Sequence, residues 1–212
     1  MIFGLTGGIA CGKSTVTKTF RKNGIPIVDA DQVARDVVIP GSPGWFEVFL
    51  TFGKEYLNSD DSINRQKLGA LVFSNPKEMK KLNDVMKPLL ETESKRQLEH
   101  ALSFGELEWN TETNSPILHR PGIVGYDAAL ICEMGNADKY RPLIVVNCPP
   151  EIQIERLIKR NNLTIEQAQA RIDAQMPLSE KVKLADFVID TSGTIENSEK
   201  QTLEIISKLK AM

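Results

Sequence analysis

The 212-residue chain predicts an α/β fold, a five-stranded parallel sheet that carries a phosphate-binding loop. Three observations support it. The apolar run Ile2 to Leu5 leads into Gly7-Gly8-Ile9-Ala10-Cys11-Gly12-Lys13-Ser14, which fits G-x-x-x-x-G-K-[ST], and a helical pattern over Ser14 to Arg21 follows. Four more short apolar runs, Ile25 to Val28, Ile123 to Asp127, Leu143 to Asn147 and Phe187 to Ile189, have the character of strands in a buried parallel sheet. Between Pro43 and about Leu102 the strand pattern gives way to a helical one.

Each element has its own punctuation. Lys22-Asn23-Gly24 reads as the stop of the first helix, and the second strand runs straight into Asp29-Ala30-Asp31. A helix over Gln32 to Val38 is expected to end at Pro40-Gly41. Trp45, Phe46, Phe49, Leu50 and Phe52 crowd one segment and are assigned to core packing. Asn75-Pro76-Lys77-Glu78 combines an N-cap, a proline at the first helical position and a capping-box glutamate. Met79, Leu82, Val85, Met86 and Leu89 then recur at helical spacing, with Pro88 expected to bend or break the helix. Ser103 to Gly122 is polar and aperiodic, and is expected to be a long surface loop outside the catalytic site. His100 and His119 are isolated and receive no role. Pro149-Pro150 opens a helix with Ile152, Ile154, Leu157 and Ile158. Thr164-Ile165-Glu166-Gln167 resembles a second capping box, within a section rich in Arg and Lys. Asp190-Thr191-Ser192-Gly193 turns the fifth strand into a last helix, Ile195 to Lys210.

The totals narrow the function classes. A net charge of −2 argues against nucleic acid as a main partner. No apolar run approaches the ~18 residues of a membrane span, so no membrane partner is expected. The first residues lack a basic stretch with a cleavage site, and Cys11, Cys132 and Cys148 fit no metal spacing. The expectation is a cytoplasmic protein with reduced thiols, a monomer or a weak homo-oligomer.

The phosphate loop carries the chemistry. Gly7, Gly8, Ile9, Ala10, Cys11, Gly12, Lys13, Ser14 and Thr15 bring backbone N–H groups and a helix N-terminus to bear on one anion. Lys13 would reach the β- and γ-phosphates of a nucleoside triphosphate, and the Ser14 hydroxyl would complete a Mg²⁺ shell. Asp31 follows the second strand, and ligands of open α/β sheets bind beyond the strands' carboxyl ends. Its carboxylate could take the proton of a substrate hydroxyl and share Mg²⁺. It could equally be the N-cap of the next helix. Asp29 is expected to be structural or to support Asp31, and Asp127 weakly resembles the Mg²⁺-linked Asp of ATPases. The arginines after the fourth strand suit a mobile basic flap over a transferred phosphoryl group. A GTPase would carry N-K-x-D on a later strand, and the chain has none.

Taken together, the motifs resemble the dephospho-coenzyme A kinases. The likeness runs through Gly4-Leu5-Thr6-Gly7-Gly8-Ile9, Gly12-Lys13-Ser14 and Val28-Asp29-Ala30-Asp31 with Val33-Ala34-Arg35. It continues in Asn64-Arg65, Lys67-Leu68-Gly69, Leu71-Val72-Phe73 and Asn75-Pro76. It returns in Gln153-Ile154-Glu155-Arg156 with Arg160, and in Arg171-Ile172 with Ala174-Gln175. The resemblance implies ATP-dependent phosphorylation of the ribose 3′-hydroxyl of dephospho-CoA, with Mg²⁺. It implies a three-layer, nucleoside-monophosphate-kinase-like core (1–30, 117–158 and 184–212), a helical CoA-binding insertion (31–116) and a lid (159–183). It gives Asp31 the place of the base, Lys13 and Ser14 the phosphate and metal places, and Arg160 and Arg171 the lid's phosphate-facing places. Asp190 to Gly193 falls at the adenine-side loop.

The chain departs from the family's usual pattern at Lys87-Pro88 (usually His-Pro), at Ala129-Leu130-Ile131-Cys132-Glu133 (usually Pro-Leu-Leu-aromatic-Glu) and at Asp190 (often Asn). Its segment before Ile123 is also longer. Two other readings share these residues: another small-molecule or nucleotide kinase on the same scaffold, and an ATP- or CoA-binding module without turnover. The intact Lys13, Ser14, Asp31 and Arg171 count against the last, because binding alone needs no base.

Overall fold

The computed structural model describes residues 1–104, 107–110, 113–118 and 122–212. They form two compact units, one of Met1–Val28 with Leu98–Met212, the other of Asp29–Gln97.

The first unit is built on a five-stranded parallel sheet. Its strands are β1 (Ile2–Gly7), β2 (Ile27–Asp29), β5 (Val124–Asp127), β6 (Leu143–Asn147) and β7 (Phe187–Asp190), in the order β2-β5-β1-β6-β7. Two further strands, β3 (Leu107–Asn110) and β4 (Ser115–Leu118), form a separate antiparallel pair. The phosphate loop follows β1, the central strand of the larger sheet, so both neighbours of β1 end beside it. Leu5 is in register with Asp127 of β5, and Gly7 with Val146 of β6.

Period-2 alternation sends Phe3 and Leu5 of β1, with Ile144 and Val146 of β6, to one face. There they meet Val16 and Phe20 of α1 (Lys13–Lys22) and Ile205, Ile206 and Leu209 of α9 (Ile195–Ala211). Each such side chain, fully buried, stabilises the fold by about 1.5–3 kcal/mol. The fit is tight: a Cβ on Gly125 would stand 2.4 Å from Ile27 Cδ1 and 2.6 Å from Phe3 Cζ. α8 (Leu178–Leu184) packs against β6, and α6 (Pro150–Asn161) packs with α7 (Ile165–Asp173).

The second unit holds α2 (Ala30–Asp36), α3 (Pro43–Phe52) and α4 (Arg65–Ser74), with most of α5 (Pro76–Phe104). Val38, Val48, Phe52, Ile63, Leu68 and Val72 form its core. Ser42 caps α3, accepting from the Trp45 N–H at 3.2 Å, and Trp45 stacks on Phe49. The core assignment fails for Phe46 (51% exposed) and Leu50 (74%). Both lie on the face of α3 opposite Val48 and Phe52, because ten residues at 3.6 per turn cannot bury every apolar side chain.

Of the bend or break expected at Pro88, the break does not occur, and α5 runs through it. The ring removes one backbone donor, and the flanking turns keep theirs. The 103–122 segment is not all loop: α5 extends to Phe104, and β3 and β4 pair with Trp109 opposite Pro116 and Asn110 opposite Ser115. Strands of four residues are too short to show a period in sequence. His119 lies outside the described residues. The second strand is also displaced, to Ile27–Asp29.

Candidate active site

The phosphate loop takes its shape from residues that tolerate left-handed backbone. Ala10 (φ 60°) and Gly12 (φ 78°) both adopt it, at a cost of about 1–2 kcal/mol for the alanine. Gly8 serves by its small size: a Cβ there would stand 2.5 Å from Gln153 Nε2 and displace that carboxamide. Gly12 is the N-cap of α1, and no side chain caps that helix end. The first N–H groups of α1 therefore face the loop's interior, where an anion satisfies them and the helix dipole. Ser14, in the first turn, is exposed, and Thr15 is half-buried with its N–H on the Gly12 carbonyl.

The outer side of the loop is held by side chains from distant elements. The Ile9 N–H donates to Gln175 Oε1, and Gln153 Nε2 donates to the Ile9 carbonyl, both at 2.8 Å. Thr191 Oγ1 donates to the Cys11 carbonyl at 2.6 Å. Arg156 reaches the Ala10 carbonyl at 3.5 Å and donates to the Thr191 carbonyl at 2.6 Å. These bonds fix the loop backbone from outside, and the Ile9, Cys11 and Thr15 amides are themselves engaged, on Gln175 Oε1 and on the Gly8 and Gly12 carbonyls.

Lys13 is ion-paired with Asp127, the last residue of β5. Thr17 Oγ1, one turn further along α1, donates to the other Asp127 oxygen at 3.0 Å. The carboxylate is buried. Cys11 and Cys148 lie 3.5 Å apart, Sγ to Sγ, and neither is in a disulfide. The hydrogen bond with Cys148 raises the Cys11 thiol's pKa, and burial adds to it, so Cys11 remains a neutral thiol in a loop suited to anions.

Asp31 lies in the second unit, exposed, in the first turn of α2. It is not the cap. Asp29 is, with Oδ1 accepting from the Asp31 N–H at 2.8 Å and the Gln32 N–H at 3.2 Å. Arg160 ends α6, exposed, its Nε donating to Asn161 Oδ1 at 2.9 Å. Asn162 turns the chain through a left-handed residue, and Thr164 and Gln167 close a capping box at the start of α7. α6 and α7 thus form a packed helical pair with Arg160 on one helix and Arg171 on the other. Arg171 is in the last turn of α7, exposed. Asp190 binds Ser192 through both oxygens, and the same turn delivers Thr191 to the loop, with Gly193 beyond it.

Among the described residues no group of three or more His, Cys, Asp or Glu side chains is arranged to hold a metal. No helix among them is long and apolar enough to cross a membrane.

The loop is suited to an anion at the helix N-terminus, and comparison with known proteins gives the family. A sequence model described as "Dephospho-CoA kinase" matches residues 1–197. The chain belongs to the dephospho-CoA kinase family. The dephospho-CoA kinase of Carboxydothermus hydrogenoformans is 41% identical over 209 residues, covering 99% of this chain and 94% of that protein. That of Lactobacillus acidophilus is 42% identical over 212 residues, covering 99% and 97%. Among solved structures, the Campylobacter jejuni dephospho-CoA kinase superimposes with a TM-score of 0.68 at 25% identity, covering 98% of this chain and 96% of that one. A shikimate kinase from Acinetobacter baumannii shares the fold alone, with a TM-score of 0.52 at 14% identity over 99% and 93% of the two chains.

In this chain, sequence reasoning underweighted Asp127 and did not find Thr191 or the roles of Gln153 and Arg156. Asp127 ends an apolar run, a signal present in sequence, but its place beside Lys13 depends on β5 pairing with β1. In sequence Arg156 stands out only through the Gln153-Ile154-Glu155-Arg156 motif and the charged stretch that follows, whereas its guanidinium is held by the Ala10 and Thr191 carbonyls.

Proposed function

We propose that this chain transfers the terminal phosphoryl group of ATP to the ribose 3′-hydroxyl of dephospho-CoA, giving coenzyme A and ADP. The observation that carries the proposal is the loop of Gly7 to Thr15. It has an uncapped helix N-terminus and a lysine fixed by Asp127, in a chain matched to the family over residues 1–197.

Lys13 and the loop amides bind the β- and γ-phosphates and stabilise the charge that spreads over the transferred group. The donor set also suits Mg²⁺, which the Ser14 hydroxyl, with the Asp31 carboxylate, would hold beside the triphosphate oxygens. When bound, the ion neutralises phosphate charge. Asp31 accepts the proton of the 3′-hydroxyl and would help hold the ion. Its carboxylate is available because Asp29 does the capping. Arg171 and Arg160, on the α6–α7 hairpin, serve the lid and meet the phosphates as charge develops. Asp190 to Gly193 borders the adenine. The helical 31–116 segment takes the CoA side, between core segments 1–30 and 117–158, with 184–212 completing the core and 159–183 forming the lid.

The test is ADP release measured with dephospho-CoA, AMP, adenosine and shikimate in parallel, with the product's phosphate position read by ³¹P NMR. Turnover with dephospho-CoA and background rates with the others are expected. Shikimate or AMP as the sole acceptor would replace this reading with that of another kinase on the same scaffold.

A further inference from the structure

Gln175 lies on the short link between α7 and α8, and it is the only lid-region side chain among the described residues that bonds to the phosphate-loop backbone. The helical pattern carries past α7 to reach it: the Ala174 N–H donates to the Ala170 carbonyl and the Gln175 N–H to the Ile172 carbonyl. Arg171 is therefore one turn away, about 6 Å of helical rise. Opposite Gln175, Gln153 holds the Ile9 carbonyl, so both polar groups of Ile9 are occupied by carboxamides from different elements.

The next residues are tied down as firmly. The Met176 N–H donates to Glu133 Oε1 at 3.1 Å, and the same oxygen pairs with Lys181 Nζ at 2.7 Å. Lys181 is fully buried and donates to the Ala129 carbonyl at 2.8 Å, which also accepts from Thr6 Oγ1 of β1. Glu133 Oε2 is buried without a partner among the described residues, so Oε1 carries all the compensation for its burial. α8 packs against β6, while α7 packs against α6.

We infer that Gln175 is a positioning residue, resting on the kinase reading above. Its carboxamide holds the Ile9 amide and sets where the Arg171-bearing helix meets the phosphate loop. The lid consequently has a fixed foot. Within the 159–183 lid region this narrows the moving part: the 176–184 segment belongs to the frame, and closure is confined to residues up to Ala174.

The test uses the full chain. Gln175→Met preserves length and removes the acceptor; Gln175→Glu preserves the acceptor oxygen. Met is expected to lower kcat by about 10- to 100-fold, by analogy with misplacing one preorganised donor, with the ATP dissociation constant changed less than about threefold. Hydrogen exchange at the Ile9 amide should accelerate in Gln175→Met and return toward the parent rate in Gln175→Glu. Should the Met variant not fold, Gln175→Asn withdraws the same acceptor by one methylene and reads the same bond. A non-hydrolysable ATP analogue should slow exchange in Glu166 to Ile172 of the parent and leave Leu178 to Leu184 unchanged. Unaltered Ile9 exchange in Gln175→Met, or nucleotide-dependent protection of both segments alike, would overturn the inference. The exchange measurements stand whichever acceptor the enzyme uses, so a failed dephospho-CoA assay counts against the proposed function and not against the anchor.

Discussion

Asp29 caps α2 by accepting the Asp31 N–H at 2.8 Å, so of two carboxylates two residues apart one is used for structure and the other is not. Asp29→Ala should cost about 1 kcal/mol of stability, the usual value of an N-cap. Asp31→Asn should leave the denaturation midpoint nearly unchanged and lower kcat by on the order of 10²-fold or more, because an amide cannot take a proton at neutral pH. Chemical denaturation and steady-state kinetics on both variants give the answer. A destabilised Asp31→Asn that kept its turnover would return Asp31 to a structural role.

The Lys13–Asp127 pair makes a second prediction. Lys13→Ala should abolish turnover in a folded protein, since the other cation at the loop, Arg156, is held by the Ala10 and Thr191 carbonyls and does not replace the lost charge. Asp127→Asn keeps an acceptor for Thr17 and loses the charge that steadies Lys13. It should lower kcat by about 10- to 100-fold. An Asp127→Asn enzyme with parental kcat would show that the pair matters only before nucleotide binds.

Arg171→Lys keeps the charge but loses the planar fork that grips two phosphoryl oxygens. It should reduce kcat by about 10- to 1000-fold, while ATP affinity changes far less. Measuring kcat alongside the ATP dissociation constant decides it, and unchanged turnover would make Arg171 a solvated surface charge.

A pH prediction follows from Asp186, which accepts from the Leu143 N–H at 2.6 Å and from Arg141 at 2.8 Å. Burial works to raise its carboxyl, but the Arg141 guanidinium and the Leu143 amide outweigh it and hold it below the usual carboxylate range. A depressed folded-state value means stability that is complete above the unfolded carboxyl's pKa, about 3.9, and is lost as pH falls through the lower folded value. Asp186→Asn should therefore be less stable than the parent at pH 7, with the gap closing toward pH 3. Denaturant midpoints across that range measure it, and a gap independent of pH would rule out the ionised carboxylate as its source.

Local chemistry accounts for what the sequence by itself determined. The phosphate loop, the Thr164 capping box, the apolar runs of all five strands of the parallel sheet and the family motifs are written within short windows, where propensity, spacing and turn residues act. Tertiary structure decided what depends on neighbours distant in the chain. Asp127 meets Lys13 across 114 residues only because β5 lies beside β1. Thr191 reaches the Cys11 carbonyl across 180 residues, and Gln175 reaches Ile9 across 166. The choice between Asp29 and Asp31 as cap turned on where β2 ends, and a one- or two-residue shift of that boundary lies below what pattern alone resolves. Phe46 and Leu50 read as core because a helix's buried face is set by the surface it packs on. Hydrogen-bond partners and packing faces are properties of the assembled sheet and helices, and no window of sequence contains them.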